Sequence, residues 1–202
     1  MHICEGDSAA GSLVTSRDIT KQAILPLRGK ILNVSRFGED LVKSLNNVEV
    51  RSIINAAGTG ILEECDSSKS RYERYIIDTD ADEDGKQIEA LVIAIFVNML
   101  PEIVKSGMLY VSIPPLYGWY EKNDFKISND MKDIPKGTHF ERFKGLGQMN
   151  PNEIYDSLLN KEKRTLMRVE FPDDIDYFNE ILTSASTKYN ILYDLGIIKY
   201  ID

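Results

Sequence analysis

The sequence contains few of the residues that mark zinc-binding, secreted or membrane proteins. Its 202 residues include two cysteines, two histidines and one tryptophan. Cys4 and Cys65 do not form a metal-type pair, and His2 and His139 are isolated from other ligand residues. The apolar run 90–97 is too short to span a membrane, and the chain begins with an acidic motif rather than a signal peptide. We therefore expect a cytoplasmic protein with reduced thiols and no membrane contact.

Positive charge is scarce as well. The chain has 24 Lys and Arg residues against 32 Asp and Glu residues, a formal net charge of −8. Since proteins hold duplex nucleic acid mainly through Lys and Arg at phosphates, strong DNA binding by this chain alone is not expected. The basic residues are nevertheless clustered, within 17–36 and again at Arg142 and Lys144, which is compatible with a basic rim beside an acidic site. The length and a hydrophobic content of 43% fit one domain, with or without an extension.

Two acidic clusters are the most informative feature that is present. The first is Glu5-Gly6-Asp7-Ser8, and the second is the segment 78–85, which lies between an expected short strand and an expected apolar helix. A strand, an acidic turn and a helix in this order place side chains at the carboxyl edge of an open α/β sheet, where ligands bind. Closely spaced carboxylates repel one another, and Mg²⁺ relieves that repulsion while leaving positions for substrate phosphates. The pattern therefore predicts a metal site for phosphate chemistry.

Two other interpretations of the second cluster remain open. Its Asp-x-Asp-x-Asp-Gly spacing also matches the start of a calcium-binding EF-hand loop. However, the twelfth position counted from Asp80 is Leu91 rather than Glu, and the preceding segment is typical of a strand rather than a helix. The second interpretation is a solvated acidic turn without a ligand. The first cluster favours the metal site, because it also follows a strand-like run, 1–4.

Strands and helices are expected to alternate through the first 115 residues, which predicts a mostly parallel α/β sheet with helices on both faces. The rest is expected to be a smaller α+β extension, with a hairpin around Asn123-Asp124 and a Gly-Leu-Gly segment. We therefore divide the chain into 1–115 and 116–202, the second packing on the first. Helices are predicted at 7–15, 39–46, 49–57, 86–99, 150–160, 174–183 and 187–195.

Five motifs, in a fixed order along the chain, carry a family resemblance. They are Glu5-Gly6-Asp7-Ser8-Ala9-Ala10-Gly11-Ser12, the segment 22–34, the segment 80–85, Ile113-Pro114-Pro115-Leu116-Tyr117, and the segment 142–151. With these motifs the chain resembles, over nearly its whole length, the TOPRIM region of type IIA DNA topoisomerases. Within that family it is most similar to the C-terminal parts of the B-type subunits of gyrase and topoisomerase IV. The resemblance implies a Rossmann-like TOPRIM fold and an ATP-dependent enzyme that changes DNA topology by double-strand cleavage and religation.

The resemblance also implies roles for four acidic residues. Glu5 would be a metal ligand and the general acid or base that exchanges a proton with the leaving 3′-oxygen of the DNA. Asp80 would bridge two positions for Mg²⁺, with Mn²⁺ as a possible substitute, and Asp82 would complete the second position. Asp84 would be an outer ligand or act through water.

Contacts with DNA and with other subunits are implied in the same way. Arg28, Lys30 and Asn33 in the second motif, and Lys144 in the fifth, would lie at the DNA backbone. Asp7 is instead expected to cap the helix that follows it. The implied partners are double-stranded DNA, an A-type subunit that bears the nucleophilic tyrosine, and the ATPase portion of the B-type subunit. ATP would bind only through that last portion, which this chain lacks.

The sequence departs from the family pattern at several positions. Asp78 stands where relatives usually have Met, and is expected to add a further acid near the site. Gln87 and Glu89 stand where relatives usually have a His and a basic residue, and a carboxylate at the second position is expected to weaken DNA contact. No ATPase motif and no cleavage domain with a nucleophilic tyrosine is recognisable. We therefore expect a fragment or the product of a split gene, of a short, phage-like type.

Three functions follow from these observations. The first is the metal-binding half of a DNA cleavage and religation site, active only with its partner subunit. The second is a non-catalytic assembly module that docks the partner subunit, which Glu89 and the net charge of −8 favour. The third is a free-standing TOPRIM nuclease or primase-like enzyme, which would need its own DNA-binding surface.

Overall fold

Nine strands and eight α-helices make up the described part of the chain, in a computed structural model that covers residues 1–28, 31–36, 41–122, 124–184 and 190–201. The strands are β1 (His2–Glu5), β2 (Ile24–Leu27), β3 (Tyr75–Asp78), β4 (Leu109–Ser112), β5 (Tyr117–Glu121), β6 (Asp124–Ser128), β7 (Phe140–Arg142), β8 (Leu166–Val169) and β9 (Ile198–Tyr200). The α-helices are α1 (Gly6–Ser16), α2 (Leu41–Asn46), α3 (Val48–Ala57), α4 (Glu83–Met99), α5 (Pro101–Lys105), α6 (Pro151–Ile154), α7 (Ile175–Thr183) and α8 (Ile191–Asp194).

The main sheet has six strands in the order β2-β1-β3-β4-β8-β9. Its first four strands are parallel, and β8 and β9 add to the β4 edge in antiparallel orientation. This confirms the predicted α/β fold with a mostly parallel sheet. The strand β9 was not predicted, because three residues are too few to show a periodic pattern.

A second, antiparallel sheet has three strands in the order β6-β5-β7. The hairpin of β5 and β6 is confirmed, although Asn123 at its turn lies outside the described residues. The predicted strand after residue 139 pairs with the other side of β5, with Tyr117 opposite Arg142. This small sheet therefore leads the chain back toward the main sheet just before the Gly-Leu-Gly segment.

Apolar side chains cover both faces of the main sheet. Ile3, Tyr75 and Ile77 belong to a large cluster that includes α4, whose residues 89–99 are all buried. Cys4, from the alternate face of β1, belongs to a second cluster with Leu13 of α1. Period-two alternation along a strand sends neighbouring side chains to opposite faces, so the two clusters lie on either side of the sheet.

Helix boundaries follow local capping signals where the chain supplies them. Asn47 accepts hydrogen bonds from the backbone of Glu49 and Val50, as predicted, and Asn150 forms a capping box with Glu153. The helix predicted at 150–160 is divided, since α6 passes into a π-helix at Tyr155–Leu159. The helix predicted at 187–195 is reduced to α8, and residues 185–189 lie outside the described part of the chain, as do 39 and 40.

The two halves of the chain share one sheet, because β8 and β9 complete the sheet that the first half begins. The predicted division at residue 115 stays a prediction, and it does not coincide with a break in the sheet. Among the helices of the described residues, none combines the length and the apolar character needed to cross a membrane.

Candidate metal site

The acidic clusters follow two strands that lie side by side. β1 and β3 are parallel, with Cys4 opposite Asp78, so Glu5 at the end of β1 and Asp80 just beyond β3 lie at the same carboxyl edge. On the other side of β1, Glu5 is opposite Leu27, which brings Arg28 to this edge as well. The parallel register therefore places together residues that are far apart in the sequence, as the strand, turn and helix pattern predicts.

Glu5 is half-buried, and its pKa lies above its usual value. Burial is the largest cause, and the charges of Asp80, Asp82 and Asp84 raise the pKa further. Within the described residues, none of these four carboxylates forms an ion pair with a Lys, Arg or His side chain. Glu5 and these three aspartates are thus close enough to repel one another, and no described Lys, Arg or His side chain pairs with them.

The Asp80 carboxylate is held by the segment that contains the Gly-Leu-Gly sequence. Its Oδ1 accepts a hydrogen bond of 2.8 Å from the backbone N–H of Leu146. A Cβ added to Gly145 would lie 2.6 Å from Oδ2 of the same carboxylate. Gly145 has an extended backbone with φ of −167°. Glycine is therefore required here because the Asp80 carboxylate lies too close for a side chain, and not because the backbone makes a tight turn.

The other two aspartates lie at the start of α4. Asp82 is the N-cap, and its Oδ1 accepts a hydrogen bond of 2.8 Å from the backbone of Gly85, which explains why the helix begins at Glu83 rather than at Lys86. Asp84 lies exposed in the first turn. Carboxylates are stabilised at this end of a helix by its dipole, so the loop tolerates a charge density that would otherwise favour unfolding.

These side chains fit an open metal site of the kind that Mg²⁺ uses. Within the described residues, no group of three or more His, Cys, Asp and Glu side chains is placed to hold a metal ion. Mg²⁺ usually keeps several waters and takes only one or two carboxylates from the protein, so a set of three is not needed. In Asp80 and Asp82 one carboxylate oxygen accepts a backbone N–H, and the other accepts no hydrogen bond from a described residue.

Asp78 does not add to this group, contrary to expectation. Its side chain is fully buried and accepts a hydrogen bond of 2.7 Å from Nδ1 of His2, which is also buried. The reason is strand alternation, since the register of β1 and β3 places both side chains on the same face of the sheet. Sequence reasoning assigned no role to His2, and the pairing of two polar residues on adjacent strands could only be found from the register.

Glu89 is buried and paired within the chain, and its expected effect on DNA contact stays a prediction. Only 2% of its surface is exposed, and its carboxylate contacts the Lys86 ammonium at 3.3 Å and the Tyr193 hydroxyl at 2.8 Å. The sequence signal was an acid within an apolar run of a helix, which indicates a buried, partnered carboxylate. Gln87, the other departure, is exposed.

The residues predicted to contact DNA are placed differently from one another. Lys144 is exposed beside Gly145, and therefore beside Asp80. Arg28 is exposed at the same edge, and its Nε donates to Oδ1 of Asp7 at 2.7 Å. Asp7 is therefore not a helix cap; the N-cap position of α1 is Glu5, without a side-chain hydrogen bond.

Asn33 and Lys30 complete the predicted set. The Asn33 amide is engaged within the chain, since it donates to the carbonyl of Leu182 at 2.7 Å and accepts from the backbone of Ser35. Lys30 lies outside the described residues. DNA contact by all four residues stays a prediction, and of the three that the structure describes, Arg28 and Lys144 present exposed charge at the carboxyl edge.

Comparison with known proteins gives the family. Residues 1–113 match the family model described as "Toprim domain", and residues 135–187 match the one described as "DNA gyrase B subunit, carboxyl terminus". The chain is similar to the DNA gyrase B subunits of Staphylococcus epidermidis, with 41% identity over 184 residues, and of Archaeoglobus fulgidus, with 39% identity over 180 residues. In both cases the alignment covers 86% of this chain and 28% of the relative, so the chain spans little more than a quarter of these relatives. Since the first family match covers more than half of its residues, the chain belongs to the Toprim domain family.

Proposed function

We propose that this chain is the metal-binding half of a DNA cleavage and religation site in a type IIA topoisomerase. The observation that carries the proposal is the convergence of Glu5 with the three aspartates at the carboxyl edge of the parallel sheet. The family match and the similarity to gyrase B subunits support the same function. The full enzyme would change DNA topology at the expense of ATP, bound by a portion outside this chain.

The acidic residues divide between metal binding and proton transfer. Asp80 and Asp82 are the main ligands of Mg²⁺, and Asp84 contributes from the outer edge of the loop. A bound divalent cation supplies a Lewis acid that stabilises charge on the leaving oxygen and on the phosphate. Glu5 exchanges a proton with the 3′-oxygen during cleavage and religation, and its pKa, raised by burial and by the neighbouring aspartates, favours the protonated form that such a group must be able to take up.

The proposed partners supply positive charge for holding DNA and the nucleophilic tyrosine. Double-stranded DNA lies across the carboxyl edge, where Arg28 and Lys144 contact its phosphates, together with Lys30 and Asn33. An A-type subunit supplies the tyrosine that attacks the phosphodiester, and the ATPase portion of the B-type subunit completes the enzyme. With a net charge of −8, this chain depends on those subunits to hold the duplex.

The assembly-module alternative now has less in its favour. Its first argument was Glu89, which is buried and bonded to Lys86 and Tyr193 rather than exposed. Its second argument, the net charge of −8, remains. Reconstitution of the enzyme distinguishes a catalytic metal-binding role from a docking role.

The proposal is tested by reconstitution on supercoiled plasmid. The chain, joined to its ATPase portion, is mixed with the A-type subunit in the presence of Mg²⁺, and covalent protein–DNA complexes are trapped with detergent. We expect linear DNA only when all components and the metal are present. Asp80→Asn should abolish it, whereas Asp173→Asn, an exposed acid away from the carboxyl edge, should not.

Two outcomes would overturn the proposal. Full cleavage by the reconstituted Asp80→Asn enzyme would leave docking as the function of this chain. A metal-dependent nick made by the isolated chain would indicate a free-standing nuclease, since no partner tyrosine would then be required.

A further inference from the structure

Glu89 receives hydrogen bonds from two side chains although it lies within a buried helix. Lys86 donates to both carboxylate oxygens, at 3.5 and 3.3 Å, and the Tyr193 hydroxyl donates to Oε1 at 2.8 Å. Removing a carboxylate from water is costly unless such partners are present, so this arrangement is specific rather than incidental.

The first of these donors lies at the C-terminal end of the acidic loop, since Lys86 follows Asp84 by two residues. The backbone N–H of Lys86 also donates to the carbonyl of Asp82 at 3.0 Å, so the position of Lys86 is tied to that of the loop. Through Lys86, one buried carboxylate therefore holds one end of the segment that carries the three aspartates.

The second donor comes from the far end of the chain. Tyr193 lies on α8, where its neighbour Leu192 is buried in the main core. Its hydroxyl also accepts a hydrogen bond from the Lys86 ammonium, which lies 4.4 Å from the centre of the Tyr193 ring. Tyr193 is outside both stretches that match family models, 1–113 and 135–187. The contact is thus a feature of this chain beyond what the family match describes.

We propose that Glu89 and Tyr193 are positioning residues, which hold the acidic loop in the conformation that binds the divalent cation. The inference rests on the proposed function, because it takes Asp80, Asp82 and Asp84 as the metal-binding acids. In the metal-free protein these carboxylates repel one another and favour a more open loop. Fixing the loop at Lys86 opposes that opening, and a loop that is ordered in advance loses less entropy when the cation binds.

The test uses the full chain and two measurements, neither of which is enzyme activity. Mn²⁺ binding is measured by electron paramagnetic resonance of the free ion, and amide hydrogen exchange is measured for the peptide that spans 79–86. The variants are Tyr193→Phe, which removes one hydroxyl, and Glu89→Gln, which keeps the size of the side chain. Tyr200→Phe is the matched control, because Tyr200 lines the same cavity of about 330 Å³ as Tyr193 and is 70% exposed.

We expect both variants to weaken Mn²⁺ binding by about 3- to 10-fold, below the roughly 10- to 100-fold that is typical of groups bonded directly to a ligand. Amide hydrogen exchange in the peptide 79–86 should be faster in both variants than in wild type. It is measured at a temperature where urea titration shows that both variants are folded. Tyr200→Phe should match wild type in both measurements. A purely structural role of Tyr193 would lower the unfolding midpoint but leave Mn²⁺ affinity and exchange in 79–86 unchanged in the folded protein.

The outcomes separate this inference from the proposed function. If wild type binds Mn²⁺, Asp80→Asn does not, and Tyr193→Phe and Glu89→Gln bind as wild type does, the positioning role is overturned and the metal site stands. If wild type and Asp80→Asn bind Mn²⁺ equally, the assignment of the metal site fails and the positioning role fails with it.

Discussion

The Asp80 carboxylate lies against the backbone of Gly145, with one oxygen 2.6 Å from the point where a side chain on that residue would begin. Its other oxygen accepts the N–H of Leu146. The candidate metal site is therefore built from both halves of the chain, since the acid belongs to the first and the surface that orients it belongs to the second. The same contact brings the exposed Lys144 beside the acidic loop, where positive charge can meet a phosphate.

Substitution of Gly145 should disturb this contact specifically. In Gly145→Ala the new methyl group meets the Asp80 carboxylate, which must move and lose the hydrogen bond from Leu146. We expect a loss of about 1–3 kcal/mol in the free energy of unfolding, as for other overpacked sites, together with weaker Mn²⁺ binding. Gly147→Ala is the control, since its nearest neighbour is Ser8 Cβ at 3.8 Å, an ordinary contact. Urea denaturation and Mn²⁺ titration measure both effects, and equal behaviour of the two variants would contradict the prediction.

Neutralising the acidic loop should remove divalent-metal binding. Asp80→Asn and Asp82→Asn keep the size of each side chain, and its amide oxygen can still accept the bond from Leu146 or Gly85. We expect Mn²⁺ affinity to fall by about 10- to 100-fold or more in each variant. Loss of a residue that only hydrogen-bonds to a metal ligand already has an effect of that size. Calorimetric titration is the measurement, with Mn²⁺ preferred because Mg²⁺ binds weakly without DNA phosphates. Unchanged affinity in Asp80→Asn would show that the cation binds elsewhere.

Glu5→Gln should impair chemistry while leaving the fold intact. The variant keeps a neutral acceptor but removes the proton exchange proposed for Glu5, and general acid–base catalysis is worth about 10²–10⁴-fold. We expect both cleavage and religation by the reconstituted enzyme to fall by about that factor. Burial and the neighbouring aspartates raise the pKa of Glu5, so its ionised form is disfavoured in the fold and its loss is not expected to destabilise. Circular dichroism monitors folding, and near-normal cleavage would exclude Glu5 from proton transfer.

The stability that Glu89 contributes should depend on pH in a defined direction. Burial raises the pKa of Glu89, and the contacts with Lys86 and Tyr193 offset part of that rise. A carboxyl group with a higher pKa in the fold contributes stability that is complete below its unfolded pKa and is lost as pH rises through its folded pKa. The glutamine of Glu89→Gln cannot titrate. The free energy of unfolding of wild type should therefore exceed that of the variant most near pH 4.5, the pKa of Glu89 in the unfolded chain, and the difference should shrink as pH rises.

Urea denaturation across the range from about pH 4.5 to about pH 8 measures this difference. Glu162→Gln, at an exposed position, controls for the change in net charge. A difference between wild type and Glu89→Gln that widens as pH rises would contradict the assigned direction.

Local sequence signals predicted most of the fold and half of the site. The capping residues Asn47 and Asn150 and the acid-rich start of α4 act through hydrogen bonds within a few residues, so their effect can be read from neighbouring positions. The strand, turn and helix pattern likewise predicted that Glu5 and Asp80 would lie at one edge of a parallel sheet. The role of Lys30 stays a prediction, since that residue lies outside the described part of the chain.

By itself, the sequence determined the family, the α/β architecture and the identity of the acids at the carboxyl edge, because each depends on residue type and on spacing along the chain. Only the tertiary structure decided which acids face solvent and which are buried. Asp78 turns to His2 and Glu89 to Tyr193, partners that lie 76 and 104 residues away in the sequence. Such pairings are decided by strand register and helix packing, which bring distant side chains together, and the cost of burying an unpaired carboxylate makes each partner necessary.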